Sequence, residues 1–296
     1  MSDLRPQRPS PWIAAAPWAF VLLWSTGFIV AKYAAPHAPP LTFLLYRFAG
    51  VVLILLPLVM VTQAPWPRTA RTWLDVAIVG VLLQATYLAG VWMAIALGMP
   101  AGISALLVGA QPLLTALFAF TVGERATRLQ WIGLIVGFAG IALVLSDRLT
   151  LAGVGSLALT LNLLALVGIT AGTLYQKKHA TEVDLRTASV IQFAASFLVL
   201  LPFALATESP LVDYTLEFWV ALGWSIIALS LIAISLLLVM IRRGRATDVA
   251  SLMYLTPPTT AVLAFLLFDE VLGNLAWAGV FVTMSGVALV LRAGKS

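Results

Sequence analysis

Apolar residues come in runs about twenty long over almost the whole of this 296-residue chain, and that spacing limits what it can fold into. A helix rising 1.5 Å per residue needs roughly 20 apolar residues to cross about 30 Å of hydrocarbon. The chain is 61% hydrophobic and 10% charged, whereas a soluble domain carries about 25% charged residues. No water-soluble core could hide so much apolar surface. Pro, Gly and charged residues divide the runs, predicting helices over 13–33, 41–62, 73–97, 100–122 and 128–146. A second set follows over 157–176, 187–206, 218–241, 246–268 and 272–291. The expected fold is an all-α membrane protein of ten transmembrane helices behind a polar, proline-rich cytoplasmic tail, 1–12. The narrowest division is Gly98-Met99-Pro100, and fusing the runs on either side would leave nine helices. The first run is too long for a signal-peptide core and reads as an uncleaved helix.

Ten such helices leave little chain for a soluble catalytic or nucleotide-binding domain, so a driving force would come from a gradient. The sequence pI near 9.8 is explained by basic residues in loops flanking the helices, which is a topology signal; no nucleic-acid partner is expected. The absence of cysteine excludes disulfides and thiolate chemistry. His37 and His179 fall in loops on opposite sides, so no histidine cluster offers a metal site, and no cofactor is expected. With no pair of acids at depth and no serine near a histidine, a membrane enzyme is disfavoured. A passive channel remains the other alternative to a carrier.

With the N-terminus in the cytoplasm, 14 of the 17 Lys and Arg lie on that side: Arg5, Arg8, Arg68, Arg71, Arg125, Arg128, Lys177, Lys178, Arg186, Arg242, Arg243, Arg245, Arg292 and Lys295. Arg148 falls in an outer loop, and Lys32 and Arg47 lie within or at the edge of the membrane. This asymmetry places both termini inside, as expected for a multi-pass inner-membrane protein, and requires an even number of helices.

Sliding the sequence by 146 positions aligns Pro112 with Pro258, Glu124 with Glu270, Trp131 with Trp277, Gly133 with Gly279 and Gly140 with Gly286. A shift of 145 aligns Phe48 with Phe193 and Pro57 with Pro202. Coincidences at Pro, Glu, Trp and Gly point to a duplication, with repeats over 13–146 and 157–292. Because each repeat has five helices, an odd number, equivalent helices must enter the membrane from opposite sides. Loop charge agrees: Arg125 and Arg128 follow the fourth run, whereas Asp269 and Glu270 follow the ninth. Inverted repeats of this kind suit a secondary transporter that alternates access around a midplane site.

These residues resemble the ten-helix EamA type within the drug/metabolite transporter superfamily. The resemblance rests on Trp24-Ser25 with Lys32, Tyr46-Arg47-Phe48, Pro112-Leu113, Gly123-Glu124-Arg125, and Gln130-Trp131-Ile132-Gly133 with Gly137 and Gly140. Pro257-Pro258, Asp269-Glu270, Trp277 and Gly279 to Gly286 echo it in the second half, without the Gly before Asp269. Among its members the chain looks most like YddG-type exporters of aromatic and neutral amino acids. The resemblance implies export of small polar metabolites, with amino acids, other metabolites and drugs all moved within the family. Small multidrug relatives couple protons through an acid in their first helix. Here the first run has none, so facilitated diffusion or weak proton linkage is expected. The implied partners are the lipid bilayer and a small-molecule substrate, and a homodimer is compatible with the sequence.

Arg47 lies about six residues into the second run, where an unpaired guanidinium costs roughly 2.5 to 3.5 kcal/mol on insertion scales. It can anchor a substrate carboxylate, or cap helix carbonyls or pair near the outer interface. Its repeat mate by the 145 shift is Gln192. Gln84, Tyr87, Val91 and Trp92 share one face of the third helix. With Trp24, Tyr46, Trp224 and Tyr254 they can line an aromatic, weakly polar cavity, or simply pack within the bundle. Asn162 and Gln176 lie near one face of the sixth run, while Gln111-Pro112 and Thr256-Pro257-Pro258 interrupt the fourth and ninth. The candidate substrate-binding residues are therefore Trp24, Tyr46, Arg47, Gln84, Tyr87, Trp92, Gln111, Asn162, Gln192, Trp224 and Tyr254. Glu124, Glu270 and Asp75 read as turn or cap residues, and Lys32 as an interfacial cation that either snorkels or pairs across a gate.

Overall fold

The computed structural model describes residues 11–99, 101–146, 154–209, 211–244, 246–268 and 273–294, and these are helices joined by short turns. Most of the tail predicted over 1–12 lies outside the described residues, as do Arg148, Arg245, Asp269, Glu270 and Lys295.

Helix α1 runs Pro11–Ala34 and α2 Pro40–Val61. Helix α3 covers Ala70–Ala96, with a widened stretch at Val81–Thr86, and ends in a turn where Gly98 has φ +90°. That left-handed turn separates the third run from the fourth, because a residue with a Cβ is strained there. Helix α4 is broken into Ala101–Val108 and Gln111–Phe118, followed by a tight turn at Ala119–Val122. Helix α5 is Arg128–Leu145, α6 Ser156–His179 and α7 Leu185–Thr207. Helix α8 covers Leu216–Arg243, widened at Ser225–Ala233. Helix α9 is broken into Ala246–Ser251 and Thr256–Phe268 by a tight turn at Leu252–Leu255, and α10 is Asn274–Ala293.

By length and composition, α2, α3, α6, α7, α8 and α10 can each cross a membrane, and shorter apolar helices cover Leu106–Val122 and Arg128–Val144. Helix starts are set locally. Thr127 and Gln130 form a reciprocal capping box on α5, and the hydroxyls of Thr69 and Thr215 accept backbone N–H groups at the starts of α3 and α8. Asp184 caps α7, and hydrogen bonds from Arg186 hold its carboxyl below the usual carboxylate range.

The packing is reciprocal between the halves. α2 packs on α7 and α5 on α10, while α1 packs on α8 and α9 as α6 packs on α3 and α4. The α5 and α10 helices meet along glycines: a Cβ at Gly133 would run into the Gly286 carbonyl, and one at Gly279 into the Gly140 carbonyl. Low-numbered positions of α5 face high-numbered ones of α10, so the pair is antiparallel. The α2 and α7 helices are antiparallel too, with Glu208 accepting from the backbone N–H groups of Leu41 and Thr42 at one end and the Thr187 hydroxyl donating to the Pro65 carbonyl at the other. The widened stretches of α3 and α8 also fall at equivalent points, as do the breaks of α4 and α9.

Candidate functional site

Helix α2 carries Arg47 toward the centre of the bundle. Gly50, one turn on, lets the Ile226 side chain of α8 press against the α2 backbone. That close approach sets Ser230, one turn beyond Ile226, within reach. Arg47 is 4% exposed, and its Nε donates to the Ser230 hydroxyl at 2.7 Å. Among the described residues, no carboxylate pairs with it. A widened turn of this kind is common at functional sites, because it turns side chains off the regular helical stripe. Ser230 sits in such a turn on α8, and Gln84 in the equivalent turn on α3.

Arg47 lines a narrow cavity of about 50 Å³ with Trp24 and Gly27 of α1, Tyr87, Leu88, Val91, Trp92 and Ile95 of α3, and Leu229 of α8. The ring of Trp24 lies parallel to that of Tyr87, with centroids 6.3 Å apart, and Trp92 stacks on Phe43 at 5.1 Å. Trp24 and Tyr87 also line a smaller chamber of about 20 Å³ with Val108, Gly109, Gln111, Ile169, Met253, Thr256 and Pro257. This chamber lies against the breaks in α4 and α9. Pro112 has no N–H to give the Val108 carbonyl, and Pro258 none for Tyr254. The Gln111 Oε1 and the Thr256 hydroxyl are buried without a hydrogen-bond partner. Ser25 ties α1 to this break by donating to the Thr256 carbonyl at 3.3 Å.

Trp92 and Ile95 also border a wider space of about 260 Å³, edged by Ala35, Ala38 and Pro40 at the α1–α2 turn and by Ala96. The Arg47 cavity thus shares Trp92 and Ile95 with the space at that turn, and Trp24 and Tyr87 with the chamber at the two broken helices.

Of the residues singled out from sequence, Trp24, Arg47, Tyr87, Trp92 and Gln111 border these spaces. The others sit elsewhere. Gln84 is fully buried, and neither atom of its amide has a partner. Gln192 lies against Gly80 and bonds Gln176 at 3.4 Å, while the Asn162 amide points to the Met99 sulfur at 3.0 Å, in a small cluster near the end of α3. Tyr46 is partly exposed and shares a hydrogen bond of 2.8 Å with Tyr214. Trp224 donates to the Thr26 hydroxyl at 2.8 Å on an apolar groove of about 420 Å³ between α1 and α8. Tyr254 is buried with its ring against Gly137. Sequence reasoning missed Ser230, Gly27 and Leu229. A lone serine in an apolar run gives no signal by itself; under the 145 shift its mate is Ala85, beside Gln84.

A helical, apolar bundle with helices long and apolar enough to cross a bilayer, and an aromatic cavity holding one buried cation, is consistent with a multi-pass membrane protein. The profile of the EamA-like transporter family matches residues 12–146 and again 156–292, and the chain belongs to that family. It is 28% identical to the uncharacterised transporter YvbV of Bacillus subtilis (strain 168), covering 93% of this chain and 90% of that protein. It is 26% identical to the uncharacterised inner membrane transporter YedA of Escherichia coli (strain K12), covering 92% and 88%. The "Probable amino-acid metabolite efflux pump" of the same strain is 26% identical, covering 90% of each. A protein of known crystal structure shares the fold at a TM-score of 0.80 with 17% identity, covering 96% of this chain and 99% of that one.

Proposed function

We propose that this protein is a facilitative exporter of small carboxylate-bearing metabolites, most of all aromatic and neutral amino acids, working by alternating access in the bacterial inner membrane. The carrying observation is Arg47: buried, hydrogen-bonded to one neutral hydroxyl, and facing an aromatic cavity. A buried guanidinium without a counter-charge is costly, and it presents a planar fork that matches a carboxylate. A substrate carboxylate supplies the missing charge, while Trp24, Tyr87 and Trp92 offer ring faces to a planar side chain. The positive charge disfavours cationic drugs as substrates. The name of the E. coli efflux relative is in keeping with this chemistry.

In this reading ten helices cross the bilayer as two inverted repeats, 13–146 and 157–292, with both termini in the cytoplasm. Loop charge supports the orientation, and the antiparallel pairing of α2 with α7 and α5 with α10 supports the inversion. The space at the α1–α2 turn, which shares Trp92 and Ile95 with the Arg47 cavity, supports an outward-facing state.

The test is counterflow in proteoliposomes preloaded with phenylalanine, challenged with labelled amino acids, nucleosides and cationic drugs. Saturable, trans-stimulated exchange of amino acids supports the reading. A response to cations alone overturns the substrate assignment, and flux without trans-stimulation replaces the carrier with a pore.

A further inference from the structure

The outer opening and its repeat mate are in opposite states, and one lysine holds the difference. The opening is edged by Ala35, Ala38 and Ala96 among others. A shift of 145 carries these to Ala180, Val183 and Ile241, at the other end of the bundle. There Ala180 and Ile241 are fully buried, whereas their mates Ala35 and Ala96 are exposed. Across this closed seam the Lys177 ammonium of α6 donates to the Ile241 carbonyl at 3.2 Å and the Gly244 carbonyl at 2.6 Å, at the end of α8. Those carbonyls have no further helical turn to satisfy them, and they form the negative end of the α8 dipole. The contact is a charge-assisted clamp between two helices that must separate if the inner side is to open.

The same 145 shift that pairs Phe48 with Phe193 and Pro57 with Pro202 pairs Gly27 with Gly172 and Lys32 with Lys177. The chain has four lysines, and two of them form this repeat pair. We propose that Lys32 and Lys177 are alternating latches: Lys177 clamps the end of α8 while the inner side is shut, and Lys32 clamps the end of α3, at the carbonyls of Ala96 and Met99, while the outer side is shut. Each lysine is released when the opposite one engages. The proposal rests on the alternating-access reading above and assigns a gating role to two residues outside the substrate cavity.

Because the chain has no cysteine, single cysteines report each mouth cleanly. Ala35→Cys, at an exposed position, marks the outer mouth and Ala180→Cys, at its buried repeat mate, the inner one, read as rates of reaction with a membrane-impermeant maleimide applied to either face of oriented vesicles. Lys177→Met is expected to speed labelling at Ala180→Cys and slow it at Ala35→Cys, each at least about threefold, since removing a clamp moves the population toward the other state. Lys32→Met is expected to do the reverse, and Lys177→Arg to keep the parent pattern. Monodispersity in detergent checks that each variant folds. Faster labelling at Ala180→Cys with no fall at Ala35→Cys would make Lys177 a local helix cap and overturn the latch, as would a Lys32→Met protein identical to its parent. These rates are read without added substrate, so a wrong substrate assignment leaves the test intact.

Discussion

Arg47 and Ser230 meet only because two helices from different halves approach at Gly50, and the arrangement leaves the outer nitrogens of the guanidinium for a ligand. Removing the charge should remove more than one hydrogen bond. Arg47→Gln is expected to weaken saturable exchange by about two orders of magnitude, since hydrogen bonds to a charged group contribute about 1.5 to 3 kcal/mol each. Ser230→Ala should raise the half-saturating concentration by about tenfold or less, because the fork loses its support and not its charge. Counterflow titrations of the two variants give both values, and equal losses would mean that the serine touches the substrate itself. Gln84 presents the opposite case. Its amide is fully buried with neither atom partnered, so an apolar side chain of similar shape should fit better. Gln84→Leu is expected to raise the melting temperature in detergent, by about 1 kcal/mol of stability, while slowing exchange. Unchanged transport in that variant would take the wide turn of α3 out of the pathway.

Helices were the most legible elements in the sequence, because the hydrocarbon requirement writes each as a long apolar run. Even the division at Gly98 could be read, and it corresponds to a left-handed turn. The widened stretches of α3 and α8 were not legible: an extra residue in a helical turn has no composition of its own, so the tilt it gives to Gln84 and Ser230 appears only in three dimensions. The direction of a ring around its helix was not legible either. Trp24 and Trp224 look alike in sequence, yet one borders the Arg47 cavity and the other the apolar groove of α1 and α8. The glycines of α5 and α10 could be noticed as small-residue spacings, and the structure gives them a shared seam. A Cβ at Gly286 would strike the backbone of Gly137 and Gly133, which cannot rotate away. Gly286→Ala should therefore destabilise the protein by about 1 to 3 kcal/mol, whereas Gly223→Ala, which meets open space, should be neutral or slightly stabilising. Thermal melts of the two variants side by side separate seam packing from helix propensity.

At the scale of the whole molecule, the contacts that α1 and α2 make with the second half are repeated by α6 and α7 with the first, so the alternating access proposed above needs one kind of motion and its counterpart in the other half. If the repeats thread the bilayer in opposite senses, single cysteines at positions 124 and 270 will react from opposite faces, and reaction from one face would end the inverted arrangement. What such a machine can couple to depends on which titratable groups travel with the cavity. The described residues that line it include no aspartate, glutamate or histidine, and its one cation is an arginine, which keeps its proton. On the alternating-access reading, the described lining offers a pH difference no carboxylate or imidazole through which to act. Proteoliposomes given an imposed pH gradient and a zwitterionic amino acid at equal concentration on both sides should show no net accumulation, only exchange. Accumulation that follows the sign of the gradient would require an acid in the path, and the search for it would move to the segments flanking α5 and α9.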